Sequence, residues 1–352
     1  MKIVVLGGGI STERHVSLVT SISVCKALRS MGHKAIFVDL FFGLEDYDGD
    51  LNEIFDSEDG LCGDACIEID APDIESIKNS RKTKSSSRIG NRVLDVCALA
   101  DCVFLGFHGA DGEDGKIQAV LDLMGVPFTG SGYLGSAMAM NKAVAKKIME
   151  YEGILTPSWS EIEYSNDQIG QLSETLPIPC VVKVPGGGSS IGVFVCESKD
   201  ELRNALEKAI KFGNHVIIEE KIKGREMTVP VLDNKYLSPI EIIPPEGSTF
   251  DYAAKYQSGS RGAREICPAE ITPEEKRKMG EAALRLHRAL GLSVYSRTDF
   301  MLDDSGNPWC LEINTLPGMT PNSLIPKSAA VEGMSYPELC EKIIQLSVAK
   351  KN

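Results

Sequence analysis

Arg297, Asp299, Glu312 and Asn314 bring a guanidinium, two carboxylates and an amide into one short stretch of this chain. Between the two pairs lies Asp303-Asp304-Ser305-Gly306-Asn307-Pro308, a cluster of turn residues, so the stretch reads as a β-hairpin. Pairing Leu302 with Trp309 sets Asp299 opposite Glu312 and Arg297 opposite Asn314, and period-two alternation gathers all four on one face. Thr298, Phe300, Leu302, Trp309, Leu311 and Ile313 then take the other face, an almost wholly apolar set that suits a core. A slip of one residue would push Phe300 or Ile313 to the wrong side, so the pattern argues for this register. Oxygen ligands with no His or Cys among them suit Mg²⁺, which keeps waters and phosphate oxygens as its other ligands. A Mg-phosphate site is one reading and a salt-bridged surface hairpin is the other; the rest of the chain must separate them.

The elements that would position such a site begin at the N-terminus. A buried-strand run over 2–6 leads through Gly7-Gly8-Gly9 and Ser11-Thr12-Glu13-Arg14 into an apolar-periodic helix to about Arg29, the start of a doubly wound α/β unit. Thr12 stands where G-x-G-x-x-G requires its third glycine, which argues against a dinucleotide site. Glu13 falls at the carboxyl end of the first strand, where open α/β sheets present ligand groups, although a Glu there also complements a helix dipole. A second strand spans 34–40. A third, 101–107, runs into His108-Gly109-Ala110-Asp111-Gly112-Glu113-Asp114-Gly115, a further candidate piece of site at the same edge; a structural role for His108 is the alternative. Between these strands the polar stretch 43–91 reads as an insertion with little fixed structure in its Ser/Lys-rich second half. A helix through Met124 and the turn Gly130-Ser131-Gly132 close this first domain near residue 130.

Signals for phosphate binding follow. A helix over about 135–152 carries Asn141-Lys142, and a short apolar strand over 180–184 contains Lys183 ahead of Pro185-Gly186-Gly187-Gly188-Ser189-Ser190-Ile191-Gly192. A Gly/Ser loop after a strand exposes N–H groups that can cover phosphates, with Lys as the point charge. It is not a Walker A sequence, because the lysine precedes the glycines, and a flexible hairpin tip is the other reading. Residues 216–222 read as a strand leaving a sheet and 224–229 as its partner. Glu219 and Glu226 there could meet an exocyclic amine and ribose hydroxyls, or be solvated strand-end carboxylates. Residues 252–260 form a polar, Gly-containing loop suited to a lid. Helices at about 273–290 and 336–349 are expected to pack the remaining domain.

The 352 residues suggest two or three domains. With 43% hydrophobic and 25% charged residues the composition is globular, and a net charge of −13 disfavours nucleic-acid and anionic-membrane partners. No apolar run approaches the ~20 residues of a membrane span, and the opening Met1-Lys2-Ile3-Val4-Val5-Leu6-Gly7 is too short and Gly-broken for a signal peptide, so a cytoplasmic location is expected. The ten cysteines are scattered, several inside apolar runs, and read as reduced core thiols. Cys62 and Cys66 form the only close pair, a weak zinc signal.

In this order and spacing, the stretches resemble the D-alanine–D-alanine ligases of the ATP-grasp superfamily over nearly the whole chain. The matching residues are Gly8-Gly9 through Glu13-Arg14 with Val16-Ser17-Leu18, His108-Gly109 with Gly112-Glu113-Asp114-Gly115, Gly188-Ser189-Ser190-Ile191-Gly192, Lys255-Tyr256, Leu311-Glu312 with Asn314-Thr315, Pro317-Gly318-Met319-Thr320, and Ser323-Leu324. The resemblance implies an α/β fold: a doubly wound, Rossmann-like pre-ATP-grasp domain (1–130, with the insertion at about 43–91), then a two-lobed α+β ATP-grasp region (131–212 and 213–352). It implies that Lys142 and Lys183 hold ATP phosphates, that Glu219, Glu220 and Ile222 line the adenine, that Glu226 takes the ribose, and that Asp299, Glu312 and Asn314 bind two Mg²⁺, for which Mn²⁺ can substitute. Glu13 would hold the ammonium of the first D-alanine with His108 close by. Ser189, Lys255, Tyr256, Arg297, Gly318, Ser323 and Leu324 would surround the substrates, with Arg297 and the Gly318 N–H as the oxyanion hole. A homodimer is the family's common assembly. Two features depart from the family: Lys183-Val184-Pro185-Gly186-Gly187-Gly188 lacks the usual Lys-Pro and charged residues, and 43–91 has no counterpart in shorter members. A D-alanine–D-serine or D-alanine–D-lactate ligase, and a non-catalytic nucleotide-binding regulator, are the alternatives.

Overall fold

The computed structural model describes residues 1–63, 72–109, 111–186, 192–245 and 263–350. At the N-terminus β1 (Lys2–Gly7) is flanked by β2 (Lys34–Asp39) and β3 (Cys102–Leu105) in a parallel sheet of order β2-β1-β3. Parallel strands are covered on both faces, and accordingly Ile3, Val4, Val5 and Leu6 are all fully buried in an unbroken apolar run. Helix α1 (Arg14–Ser30) packs on β1 and β2. The carboxyl ends of β1 and β3 therefore deliver Glu13 and His108 to one edge, as the sequence predicts.

The described part of the insertion is more ordered than its composition suggests. Its ends meet at a parallel bridge between Gly43 and Asn91, where a Cβ on Gly43 would lie 2.3 Å from the Asn91 carbonyl. It contains α2 (Ile74–Ser80), capped by the Asp73 carboxylate, and leads into α3 (Val93–Ala98). Arg81, 3% exposed, donates to the carbonyls of Ser87 (2.6 Å) and Ile89 (3.0 Å), and the Glu45 carboxylate accepts from the N–H groups of Lys82 and Thr83. One buried guanidinium and one carboxylate thus fix the Ser/Lys-rich half, a pairing that average composition does not register. Helix α4 (Lys116–Leu123) follows the His108 loop.

Where one helix is expected over 135–152 there are two, α5 (Tyr133–Met140) and α6 (Lys142–Tyr151). Asn141 leaves the helical region (φ −85°, ψ 100°), and its side-chain oxygen accepts from the N–H groups of Ala143 and Val144. The break is an N-cap, and it makes Lys142 the first residue of a helix.

A four-stranded antiparallel sheet follows, with β4 (Trp159–Glu163), β5 (Cys180–Lys183), β6 (Val193–Cys196) and β7 (His215–Glu220) in the order β4-β7-β5-β6. Helices α7 (Ile169–Thr175) and α8 (Lys199–Ala209) accompany it, and a Ser198/Glu201 capping box starts the second. The next sheet holds β8 (Arg225–Leu232), β9 (Lys235–Tyr236), β10 (Ile240–Ile243), β11 (Arg264–Ile266), β12 (Tyr295–Leu302) and β13 (Pro308–Asn314), in the order β11-β10-β8-β12-β13 with β9 on β8. Strands β7 and β8 are therefore not partners, contrary to the expected pairing of 216–222 with 224–229. Lys221-Ile222-Lys223-Gly224 carries the chain from one sheet to the other instead of turning back.

Helix α9 (Pro273–Ala289), opened by a Thr272/Glu275 capping box and Pro273, buries Met279, Ala283 and Leu286 against the six-stranded sheet. Helix α10 (Leu324–Val331) precedes α11 (Tyr336–Ala349), and α11 returns to the first sheet, packing on α1 and β3 with Leu339, Ile343 and Ile344 in the same core as Val24 and Leu28. Periodicity predicts an apolar face there but not which sheet receives it. Among the described residues no helix is long and apolar enough to cross a membrane.

Candidate active site

The hairpin forms with Arg297 opposite Asn314 and Asp299 opposite Glu312, and beyond that pair the register shifts at a bulge, so that Phe300 faces Cys310 and Leu302 faces Pro308. The predicted pairing of Leu302 with Trp309 is thus off by one. Cys310, fully buried, takes the core-face position assigned to the neighbours Trp309 and Leu311, both only half-buried. The Trp309 indole N–H donates instead to Asp303 Oδ2 at 2.9 Å, in a turn where Asp303 Oδ1 also accepts from the N–H groups of Ser305 and Asn307. These donors, the indole first, pull the Asp303 carboxyl down to about 2. The bulge lets Phe300 and Ile313 both stay in the core while the four polar groups share the opposite face.

On that face Arg297 grips Asp299 with two parallel donors, Nε to Oδ1 at 2.9 Å and Nη2 to Oδ2 at 2.8 Å. The Thr228 hydroxyl donates to Asp299 Oδ1 at 2.5 Å and the Asn314 amide to Oδ2 at 3.1 Å. Glu312 is met by Lys142 Nζ at 3.1 Å from the first turn of α6, whose own N–H donates to the Pro185 carbonyl at the start of the glycine loop. Among the described residues no three His, Cys, Asp or Glu side chains cluster to hold a metal. Two carboxylates and an amide at adjacent ladder positions nevertheless fit Mg²⁺, a hard ion that leaves several positions to water and phosphate oxygens.

A second charged cluster lies at the junction of the two sheets. Glu219, 2% exposed at the end of β7, holds Lys183 of β5 at 2.6 Å through Oε2. Its Oε1 lies 3.2 Å from Lys146 Nζ, within ion-pair distance but off the line of a hydrogen bond. It is no solvated strand-end carboxylate. Lys146 is fully buried, and burial lowers the pKa of its ammonium while Glu219 opposes that shift. Sequence reasoning passed over Lys146; its only signal is the spacing of four from Lys142 on one helix face. Glu220 is exposed beyond the cluster, with Ile222 and Glu226 half-buried.

From the N-terminal sheet, Glu13 (4% exposed) and His108 (5%) come to the same region. The His108 Nε2 is 2.9 Å from the Thr20 hydroxyl, and burial pushes the ring down to about 4 against the pull of the Leu316 carbonyl. Glu113 accepts from the Gly109 N–H at 2.7 Å, and burial together with the charge of Glu13 pushes its carboxyl up to about 8. Glu113 lines a small cavity with Lys142, Glu312 and Asn314, and Arg297 lies near enough for its charge to act on both Glu113 and His108. Sequence reasoning gave Glu113 no role, although the acidic loop 108–115 drew attention to it.

Ser323 caps the turn after Gly318, its hydroxyl accepting from the Thr320 N–H at 3.0 Å, and a Cβ on Gly318 would lie 2.9 Å from Ser323 Oγ. Leu324 turns its side chain into a small core with Ile240 and Ile242. Ser189, Lys255 and Tyr256 lie outside the described residues, as does Cys66.

Models of D-ala D-ala ligases match the chain in two parts, the N-terminus over residues 2–131 and the C-terminus over residues 141–345. The chain belongs to the D-alanine–D-alanine ligase family. A relative named D-alanine–D-alanine ligase from Pediococcus pentosaceus is 40% identical over 344 residues, 98% of this chain and 97% of its own. Another of that name from Lacticaseibacillus casei is 38% identical over 348 residues, 98% and 95%. Of solved structures, D-alanine–D-alanine ligase from Bacillus anthracis complexed with ATP matches with a TM-score of 0.71 at 31% identity, covering 100% of this chain and 98% of that one. The VanG D-Ala:D-Ser ligase from Enterococcus faecalis matches with a TM-score of 0.74 at 28% identity, covering 98% and 99%. The mixed α/β architecture is therefore the family's, an N-terminal domain followed by the ATP-grasp region.

Proposed function

We propose that this family member joins two D-alanines at the expense of ATP, through a D-alanyl phosphate, giving D-alanyl-D-alanine, ADP and phosphate for peptidoglycan precursors. The observation that carries the reading is the convergence of Glu13 and His108 from one sheet with Arg297, Asp299, Glu312 and Asn314 from another, beside Lys142. In this reading residues 1–130 hold the first D-alanine, and 131–212 and 213–352 are the two lobes that close on ATP.

Glu13 takes the ammonium of the first D-alanine, which points its carboxylate toward the γ-phosphate. Lys142 and Lys183 hold the phosphates, the segment Glu219, Glu220 and Ile222 takes the adenine, and Glu226 the ribose. Asp299, Glu312 and Asn314 would hold Mg²⁺, which supplies neutralisation of charge on the phosphate oxygens. Positioning and electrostatics suffice for the first transfer: a carboxylate oxygen bonds to γ-phosphorus as its bond to the ADP oxygen breaks. The amine of the second D-alanine then attacks the acyl carbon, and the oxyanion that forms needs donors. Arg297 and the Gly318 N–H supply them, with Ser323 and Leu324 alongside. Collapse expels phosphate and releases one proton. Ser189, Lys255 and Tyr256 complete the enclosure and exclude water from the acyl phosphate. The enzyme works in the cytoplasm as a homodimer and needs no nucleic-acid or membrane partner.

The test measures ATP-dependent phosphate release with D-alanine, L-alanine, D-serine and D-lactate, with products identified by mass. D-Alanyl-D-alanine is expected to dominate; release with no ligated product would refute the reading. A D-alanine–D-serine ligase is the second reading, favoured by the match to the VanG structure, and the mixed dipeptide in the same assay would establish it.

A further inference from the structure

Lys146 is buried with its ammonium between Thr156, in the loop that follows α6, and Glu219 of β7. It donates to the Thr156 hydroxyl at 2.7 Å, which in turn donates to the Cys310 carbonyl of β13 at 2.8 Å, and it faces Glu219 Oε1 of β7 at 3.2 Å. One turn earlier on α6, Lys142 reaches Glu312, two residues beyond Cys310. The same helix face thus touches the metal-type strand and the strand proposed for the adenine.

We infer that Lys146 is a positioning residue that holds Glu219 for the exocyclic amine of the nucleotide base, and so sets base specificity. The inference rests on the ATP reading above. Glu219 lies between two ammoniums, Lys183 at 2.6 Å and Lys146 at 3.2 Å. Lys183 must turn its charge to a phosphate when nucleotide binds, and a buried carboxylate left without a counter-ion is costly. Lys146 stays with Glu219 through that exchange and keeps its carboxylate in place. Glu219 Oε1 makes no hydrogen bond among the described residues, so it keeps an unused acceptor position, and a 6-amino group offers the matching donor where a 6-oxo group does not. The Thr156 hydroxyl fixes the lysine's own direction.

The experiment compares ATP with ITP, which differ at that one group, in wild type, Lys146→Met and Thr156→Val. Wild type is expected to favour ATP in kcat/KM, because a site built for an N–H donor rejects the analogue that lacks it. Lys146→Met is expected to cut the ATP/ITP ratio roughly tenfold or more, mainly through KM for ATP, with KM for D-alanine unchanged. Thr156→Val, which keeps the ammonium and removes its guide, is expected to cut the ratio less, and it serves as the test if Lys146→Met fails to fold. Equal losses with ATP and ITP in both variants would make Lys146 a merely structural cation and overturn the inference. A wild type that turns over neither nucleotide with D-alanine would instead overturn the ATP reading.

Discussion

Lys142 and Lys146 stand one turn apart on α6 and reach carboxylates on two different sheets, Glu312 at 3.1 Å and Glu219 at 3.2 Å. Asn141 caps the start of their common helix. Asn141→Ala should therefore destabilise the protein by about 1 kcal/mol and raise KM for ATP, whereas Asn141→Asp keeps an acceptor and should restore stability. Thermal melts decide it, and an Asn141→Ala melting temperature equal to wild type would remove the cap from the account.

Glu312 and Asp299 face each other across the ladder, yet their amides should behave differently. Glu312→Gln removes a charged oxygen ligand but keeps its shape, and should abolish phosphate release while leaving the fold intact. Asp299→Asn sets an NH₂ against the donors of Arg297 and Thr228, so it should lose phosphate release and also melt earlier. Turnover near wild type in Glu312→Gln would refute its place as a metal ligand.

Arg297→Lys keeps a charge but loses the planar fork that grips Asp299 with two donors. A loss on the order of 10²-fold in kcat is expected, as for removal of an oxyanion-hole donor. A change confined to KM for ATP would make Arg297 a ground-state binding group instead.

His108 and His287 are both buried neutral, each pushed by burial down to about 4. An unfolded chain protonates its histidines near 6.5. Between about pH 6.5 and 4 the unfolded state therefore binds more protons, and stability falls as pH is lowered through that window. Each residue contributes on the order of 3 kcal/mol at most. Chemical denaturation at a series of pH values should show a shallower acid slope for His108→Gln and again for His287→Gln. Parallel slopes in wild type and His108→Gln would show that His108 titrates normally.

Alternation in 297–314 was enough to put Arg297, Asp299, Glu312 and Asn314 on one face, because 297–299 pairs with 312–314 without a break and Thr298 and Ile313 hold the core side. The turn residues and glycines likewise marked where Glu13, His108 and the Lys183 loop would come to strand ends. Both signals are local: they depend on neighbours within a few residues, whose spacing the sequence states outright. The N-cap at Asn141 was also local, but the apolar pattern runs through it and hides it.

What only the tertiary structure decided depends on partners distant in the chain. The bulge beyond Asp299 moves Cys310 into the core and frees the Trp309 indole for Asp303, a choice made by the whole sheet. Docking of α11 on the first sheet, separation of β7 from β8, and the hold of Arg81 and Glu45 on the insertion are of the same kind. Lys146 is the clearest instance, since a lysine four residues after another reads as a solvated helix face. Its burial becomes tolerable only when Glu219 and Thr156 arrive to satisfy it, and a charge can be placed inside a protein only by partners that folding brings together.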